Sequence, residues 1–196
     1  MAVAAGVPAA ATAKPRQSCI RAHSKTVAQN GFARVYRVRT GEGTNLYACR
    51  RSTGRRVLLH AAFDDDYVSS SSYRNVRLAG VFVAWAHTST DVSCKAQCPP
   101  GYNPTTSAIS VYDLRRHRVR TMPGAVPLGR ALMLSRLGGV AWASAGSAGS
   151  VEIHGSVRPG DDRVIDSGNI DPSSLTIEVT IIAWRRDGVE RFPRLR

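Results

Sequence analysis

A chain of 196 residues with 43% hydrophobic and 21% charged residues can bury a core of its own, which excludes a chain disordered throughout. The charge is uneven: 27 basic residues stand against 14 acidic ones, giving +13, and all but three of the basic residues are arginine. Such an excess favours polyanions or anionic surfaces as partners, while aromatic residues at only 7% speak against nucleic acid.

The first thirteen residues, "MAVAAGVPAAATA", are uncharged, and Ala11-Thr12-Ala13 matches the A-x-A site at which a secretory leader is cut. The basic n-region is missing and the apolar run is short. Residues 1–18 therefore read as a signal-peptide remnant or as a disordered alanine-rich terminus. No other run approaches the ~18 apolar residues of a membrane helix. Of four cysteines, Cys94 and Cys98 sit beside Pro99, Pro100, Gly101 and Pro104, which predicts a local disulfide stapling a loop. Cys19 is then left to pair with Cys49. No C-x-x-C spacing suggests a metal or redox site, and two disulfides predict a secreted or cell-surface protein.

After residue 24 the helical period is absent. Short Val, Ile, Leu, Trp and Tyr runs alternate with Gly, Ser, Asp and Pro, the pattern of an all-β protein. "KTVAQNG", "FARVYRVR", "NLYACRR" and "RRVLLHA" make four strands between residues 25 and 61. "NVRLAG", "GVFVAWA", "AISVYDL" and "HRVRTM" make four more. "ALMLSRLG", "GGVAWAS", "SVEIHGS" and "DRVIDSG" repeat the set, and "SSLTIEV" followed by "TIIAWRR" begins another. The predicted units are about 24–66, 74–124, 131–170 and 172–196, within one domain spanning 19–196.

Three units contain Val/Ile-Ala-Trp, at Trp85, Trp142 and Trp184, 57 and 42 residues apart, with the cysteine-bearing insert filling the longer gap. A period near 40–45 with four strands per unit predicts a small β-propeller, or part of one, of about four blades with three to four antiparallel strands each. The apolar Ala-Trp strands do not alternate, as expected of a strand covered on both faces. Trp85, Trp142 and Trp184 are thus predicted core residues filling the gaps between blades. A sandwich with a few buried strands explains the apolar runs but not their regular placement. Four blades are the minimum for a closed ring, and the last has three clear strands. Closure would draw on residues 16–23, or the ring stays incomplete.

"LYACRRSTGRRVLL", "VYDLRRHRVR" and "IDSGNIDPSSLTIEVTIIAWRRDGVE" resemble repeats of exported bacterial β-propeller-like proteins of the broad WD40/TolB-like kind. The likeness covers most of residues 19–196 and implies a blade architecture. A regular G-H…W-D set is lacking, and no activity is implied.

Long connections, read at 61–73, 87–107, 122–130 and 144–150, fall on one face of such a fold, where binding residues concentrate. The candidates there are Asp64, Asp65, Asp66, Tyr67, Tyr73, Asp91, Tyr102 and Asn103. Arg50, Arg51, Arg55, Arg56, Arg115 and Arg116 flank third-to-fourth-strand hairpins on the opposite face. They read as a polyanion site or as charges that keep edge strands from pairing with other chains. His23, His60, His87, His117 and His154 are scattered singly and suggest no metal site, and no cofactor or nucleophile motif is present. The expectation is a non-enzymatic binding or interaction domain, its partner a protein or an anionic envelope polymer. The alternative is a hydrolase or lyase with its site on the long-loop face or in a central channel. That alternative needs two or more of Asp64–Asp66, His87, Asp91 and other polar groups to converge in one pocket.

Overall fold

The strand Phe82–Asp91 and its two later counterparts, Val140–Ala145 and Ile181–Arg186, carry the three tryptophans, and all three indoles are buried, at 3, 1 and 3% exposure. The structure, a computed structural model, describes residues 19–65, 69–91, 93, 99–158 and 160–195. Among them the fold is all-β. The strands are β1 (Ser24–Gln29), β2 (Ala33–Arg39), β3 (Gly43–Arg50), β4 (Arg56–Asp65), β5 (Ser69–Ala79), β6 (Phe82–Asp91), β7 (Thr105–Asp113) and β8 (Arg118–Pro123). They continue as β9 (Leu132–Leu134), β10 (Val140–Ala145), β11 (Val151–Ser156), β12 (Arg163–Gly168), β13 (Ile170–Glu178), β14 (Ile181–Arg186) and β15 (Val189–Arg191).

Three antiparallel sheets result: β1 to β8 in chain order, β9 to β12, and β13 to β15. Residues 24–66 and 74–124, read from sequence as two units, share the eight-stranded sheet. β4 and β5 pair through Phe63–Ser71, Asp64–Ser70 and Asp65–Ser69, in a stretch read from sequence as a loop. Ser71 of β5 bonds His60 of β4 at 2.9 Å. The serine run of β5 faces Thr90, Ser89 and Thr88 of β6, and small β-branched and hydroxyl side chains suit a half-exposed strand. β4 meets β5 only at this end, so β1–β4 and β5–β8 still stack through their apolar faces.

Three apolar seams join the strand groups in series. Val35, Leu46, Val83 and Trp85 fill the first, between β1–β4 and β5–β8. Ala84, Ala86, Leu132 and Trp142 fill the second, between β5–β8 and β9–β12. Ala141, Ala143, Ile182 and Trp184 fill the third, between β9–β12 and β13–β15. Successive residues of a strand point to opposite faces. β6 and β10 therefore turn their indoles toward the preceding group and their alanines toward the following one, and β14, in the last group, turns Trp184 toward the preceding one. The close approach is tightest at Gly155, where an added Cβ would lie 2.4 Å from Leu195 and 2.6 Å from Ile165. Arginine side chains bridge the same seams: Arg77 on β5 donates to the carbonyls of Leu132 and Arg130, both at 2.8 Å, and Arg120 on β8 donates to that of Gly138.

Cys19 and Cys49 form a disulfide that closes a separation of 30 residues. It pins residues 19–23 across the outer face of β1–β4. There Arg34 donates to the Cys19 carbonyl, Arg34 and Arg21 lie over the rings of Tyr36 and Tyr47, and those two rings stack 5.6 Å apart. Residues 19–23 thus lie on the first strand group and are not a strand of the last one. The predicted Cys94–Cys98 bond and residues 1–18 lie outside the described residues.

Two stability effects are expected. Replacing Cys19 and Cys49 by serine lowers the urea-unfolding free energy by about 3–4 kcal/mol, the loop-closure entropy of a link of this length. Trp142→Ala lowers it by about 3–5 kcal/mol, because the indole bridges two strand groups and its loss leaves a cavity.

Candidate functional site

Asp64 and Asp91 end up exposed on strands, not in one cleft, because β4 and β6 run four or more residues past their expected ends. Register sets Asp65 opposite Ser69, and Ser69 opposite Asp91, across three strands. The Asp91 carboxylate accepts the Ser93 N–H at 2.9 Å, a bond that holds its pKa below the usual carboxylate range. Tyr102 donates its hydroxyl to the Asp91 carbonyl at 3.0 Å, and the Asn103 side chain accepts the Thr105 N–H at 2.9 Å. These residues order the mouth of the β6–β7 connection. Tyr73 lies apart from them, inside the first seam. Asp66 and Tyr67 fall outside the described residues.

The polar part of the first seam is a cluster that the scattered histidines did not announce. His60 on β4 and His87 on β6 approach to 5.2 Å between ring centroids, and the Tyr73 ring meets His60 edge-on at 5.6 Å. His60 Nε2 pairs with Ser71 Oγ at 2.9 Å, and His87 Nε2 with the buried Ser110 Oγ at 3.1 Å. Ser110 in turn pairs with Thr121 at 3.0 Å. Burial, then the neighbouring His87, lowers the His60 pKa from 6.5 to about 4; burial lowers that of His87 and raises that of Tyr73. Both imidazoles are neutral at neutral pH, and Ser71, Ser110 and Tyr73 supply neutral partners. His60 and His87 are 27 positions apart in different predicted units, so only the β4–β5–β6 register brings them together.

A third serine–histidine pair joins Ser144 Oγ to His154 Nε2 at 2.8 Å, with Glu152 3.3 Å from the same nitrogen and Trp142 stacked on the imidazole at 5.0 Å. A nucleophilic triad needs the carboxylate on the nitrogen opposite the serine. Here both crowd Nε2, so the arrangement orders the ring without relaying a proton.

Two open grooves lie near β13. One of about 430 Å³ is lined by Arg77, Leu128, Ala131, Met133, Pro172 and Ser173, residues of β5, β9 and β13 and the β8–β9 connection. The other, of about 370 Å³, runs over β13–β15 past Asp171, Ser174, Arg185 and Glu190. In it Ser173 and its N–H both bond the Asp171 carboxylate and hold its pKa low, and Ser174 accepts the Arg185 N–H at 2.8 Å. Neither groove is lined by Asp64, His87 or Asp91. No group of three or more His, Cys, Asp or Glu among the described residues could hold a metal ion, and no helix among them is long and apolar enough to cross a membrane.

The arginines named from sequence fall on two hairpins. Arg50 ends β3 and Arg56 begins β4, with Arg51 and Arg55 in the turn between them; Arg115 and Arg116 form the β7–β8 turn. Asp113 accepts the N–H groups of both Arg115 and Arg116. Arg185 and Arg186 differ: Arg186 pairs with Asp166, which also accepts the Trp184 indole N–H at 2.9 Å.

No protein-family model matches the sequence, and the search of curated proteins returns no significant match.

The histidine cluster has a pH signature. Below pH 6.5 the unfolded chain takes up a proton at His60 that the folded chain refuses until about pH 4. Its contribution to stability is complete above 6.5 and is lost as pH falls toward 4, on the order of 1–2 kcal/mol after discounting for the partly exposed ring. Thermal melts from about pH 7 to 4.5 should show a shallower decline for His60→Gln, which keeps a polar partner for Ser71 without titrating. Parallel declines would refute the cluster as the acid-sensitive element.

Proposed function

We propose that the chain is an exported, non-enzymatic, β-propeller-like interaction domain of four units of three to four strands, binding a protein or an anionic polymer of the cell envelope. One observation carries this reading. The first strand of each group lies against the first strand of the next, β1 on β5, β5 on β9 and β9 on β13, as innermost strands do around an axis. The groove of about 430 Å³ opens among three of these strands, where the channel of a propeller would run. The disulfide supports export, since such bonds persist outside a reducing cytosol. A binding role is supported by the way the polar groups are used. The serines, histidines and carboxylates described above are engaged in ordering turns and seams, and in neither groove does a nucleophile stand beside a free base.

Immobilised protein exposed to isolated envelope fractions, wall polymer and membrane separately, should retain at least one of them, with retention falling as salt rises. No retention from any fraction at low salt overturns the interaction-domain reading. Retention indifferent to salt dismisses the arginine surface as the main contact.

A further inference from the structure

Turns that follow odd-numbered strands, from β1–β2 to β13–β14, gather on one end of the molecule. The Asn30 side chain donates to the Gly80 carbonyl, linking the β1–β2 and β5–β6 turns. Arg120 reaches the Gly138 carbonyl in the β9–β10 turn. Leu195 donates its N–H to the Thr180 carbonyl in the β13–β14 turn and packs beside Gly139.

At this end the composition is concentric. Turns leaving the inner, first strands carry exposed apolar tips: Phe32 at 55%, Leu137 at 64% and Val179 at 44% exposure, with Val81 of the β5–β6 turn the buried exception. Hairpins joining third to fourth strands, farther out, carry exposed arginines: Arg51, Arg55, Arg115, Arg116 and Arg158. The two kinds of residue adjoin, since the Arg51 N–H bonds the Phe32 carbonyl at 2.8 Å. The two arginine hairpins also adjoin, since the Arg55 charge reaches the Tyr112 phenol, which pairs with His117 on the neighbouring hairpin at 3.2 Å. The side chains of Arg55, Arg115 and Arg158 make no hydrogen bond or ion pair among the described residues, whereas Arg34, Arg77, Arg120 and Arg186 are all spent on carbonyls or a carboxylate.

Charge alone suffices to grip a linear polyanion in water, and edge protection needs only the arginines. Neither accounts for a phenylalanine and a leucine raised on turn tips inside the basic rim. An anionic bilayer takes both: apolar tips enter the headgroup layer, and guanidinium groups fork onto lipid phosphates. We infer that this end of the molecule docks on the surface of an anionic phospholipid bilayer, with Phe32, Leu137 and Val179 entering it and the hairpin arginines holding its phosphates. The inference rests on the reading of the chain as a binding domain and gives that domain a lipid surface as partner in place of a protein or a polymer.

The test is co-sedimentation with phosphatidylcholine vesicles that do or do not contain about one-third phosphatidylglycerol, beside a soluble polyphosphate arm. The chain should bind the anionic vesicles and lose affinity with salt. Together, Arg55→Gln, Arg115→Gln and Arg116→Gln should weaken vesicle binding by about a hundredfold. Arg39→Gln, a single charge removed near the opposite end, should leave it unchanged. Phe32→Ser with Leu137→Ser should weaken vesicle binding by about tenfold or more and leave polyphosphate binding unaffected. Circular dichroism of each variant confirms the fold. Vesicle binding unchanged by the Phe32 and Leu137 substitutions overturns the proposal, as does binding to polyphosphate without binding to anionic vesicles. A chain that retains another envelope fraction but ignores these vesicles refutes the lipid surface and leaves the interaction-domain reading standing.

Discussion

Everything in this fold hangs on how an indole meets a pair of alanines across a seam. Trp142 projects from β10 toward Ala84 and Ala86, while Ala141 and Ala143 of the same strand leave room for the group that carries Trp184. A bulky residue on both faces would hold neighbouring groups apart, and alanine on both would leave a void that costs packing energy. Large on one face and small on the other lets each group take its neighbour at a repeated spacing. Serial stacking of the strand groups follows, then the inward position of the first strands, then the sorting of turns onto two ends.

That constraint is also what made so much of the fold legible. Non-alternating apolar strands at a regular interval can be recognised without a structure, because burial on both faces removes the polar half of the pattern. The cysteine pairing was legible too, since Cys94 and Cys98 leave Cys19 only Cys49, and Cys19–Cys49 is the bond observed. The serine run was not. "SSSSY" resembles a loop by composition, and only its partners on β6, Thr88, Ser89 and Thr90, make it a strand. That strand joins what the sequence divides, and it carries Tyr73 away from the acidic candidates and into the seam with His60. The histidine pair was hidden for the same reason: cross-strand register is long-range information that a single sequence does not display.

Arginine spacing carries a distinction that net charge conceals. Arg34, Arg77 and Arg120 stand on strands among apolar or small residues, and each closes hydrogen bonds to carbonyls of a different segment. Burial depresses the Arg120 pKa, and Asp161 nearby opposes that effect. Arg51, Arg55, Arg115 and Arg116 lie in exposed turns that their backbone N–H groups help to order, and their guanidiniums reach at most a local side chain, Gln29 for Arg51 and Asp113 for Arg116. The isolated strand arginine is a clamp, and the turn arginine is surface charge. Turn arginines of the second kind, Arg51, Arg55, Arg115, Arg116 and Arg158, sit at one end of the molecule.

Polar groups at the seams reveal the balance this packing strikes. The Trp184 indole N–H reaches Asp166, but the Trp85 Nε1 is buried without a partner, as is the Nε of Arg120. An unsatisfied buried donor costs about 1–3 kcal/mol. Trp85 meets the first group through Ala33, Val35, Leu46 and Ala48, none of whose side chains can accept a hydrogen bond, so the shape that fills the gap forgoes the acceptor. Trp184 lies at the last seam, where β12 supplies Asp166 and that carboxylate is itself balanced by Arg186. The same residue type thus packs twice under different polar conditions. Its recurrence follows from the space between the strand groups, since the hydrogen bond is absent at Trp85 and the burial is not.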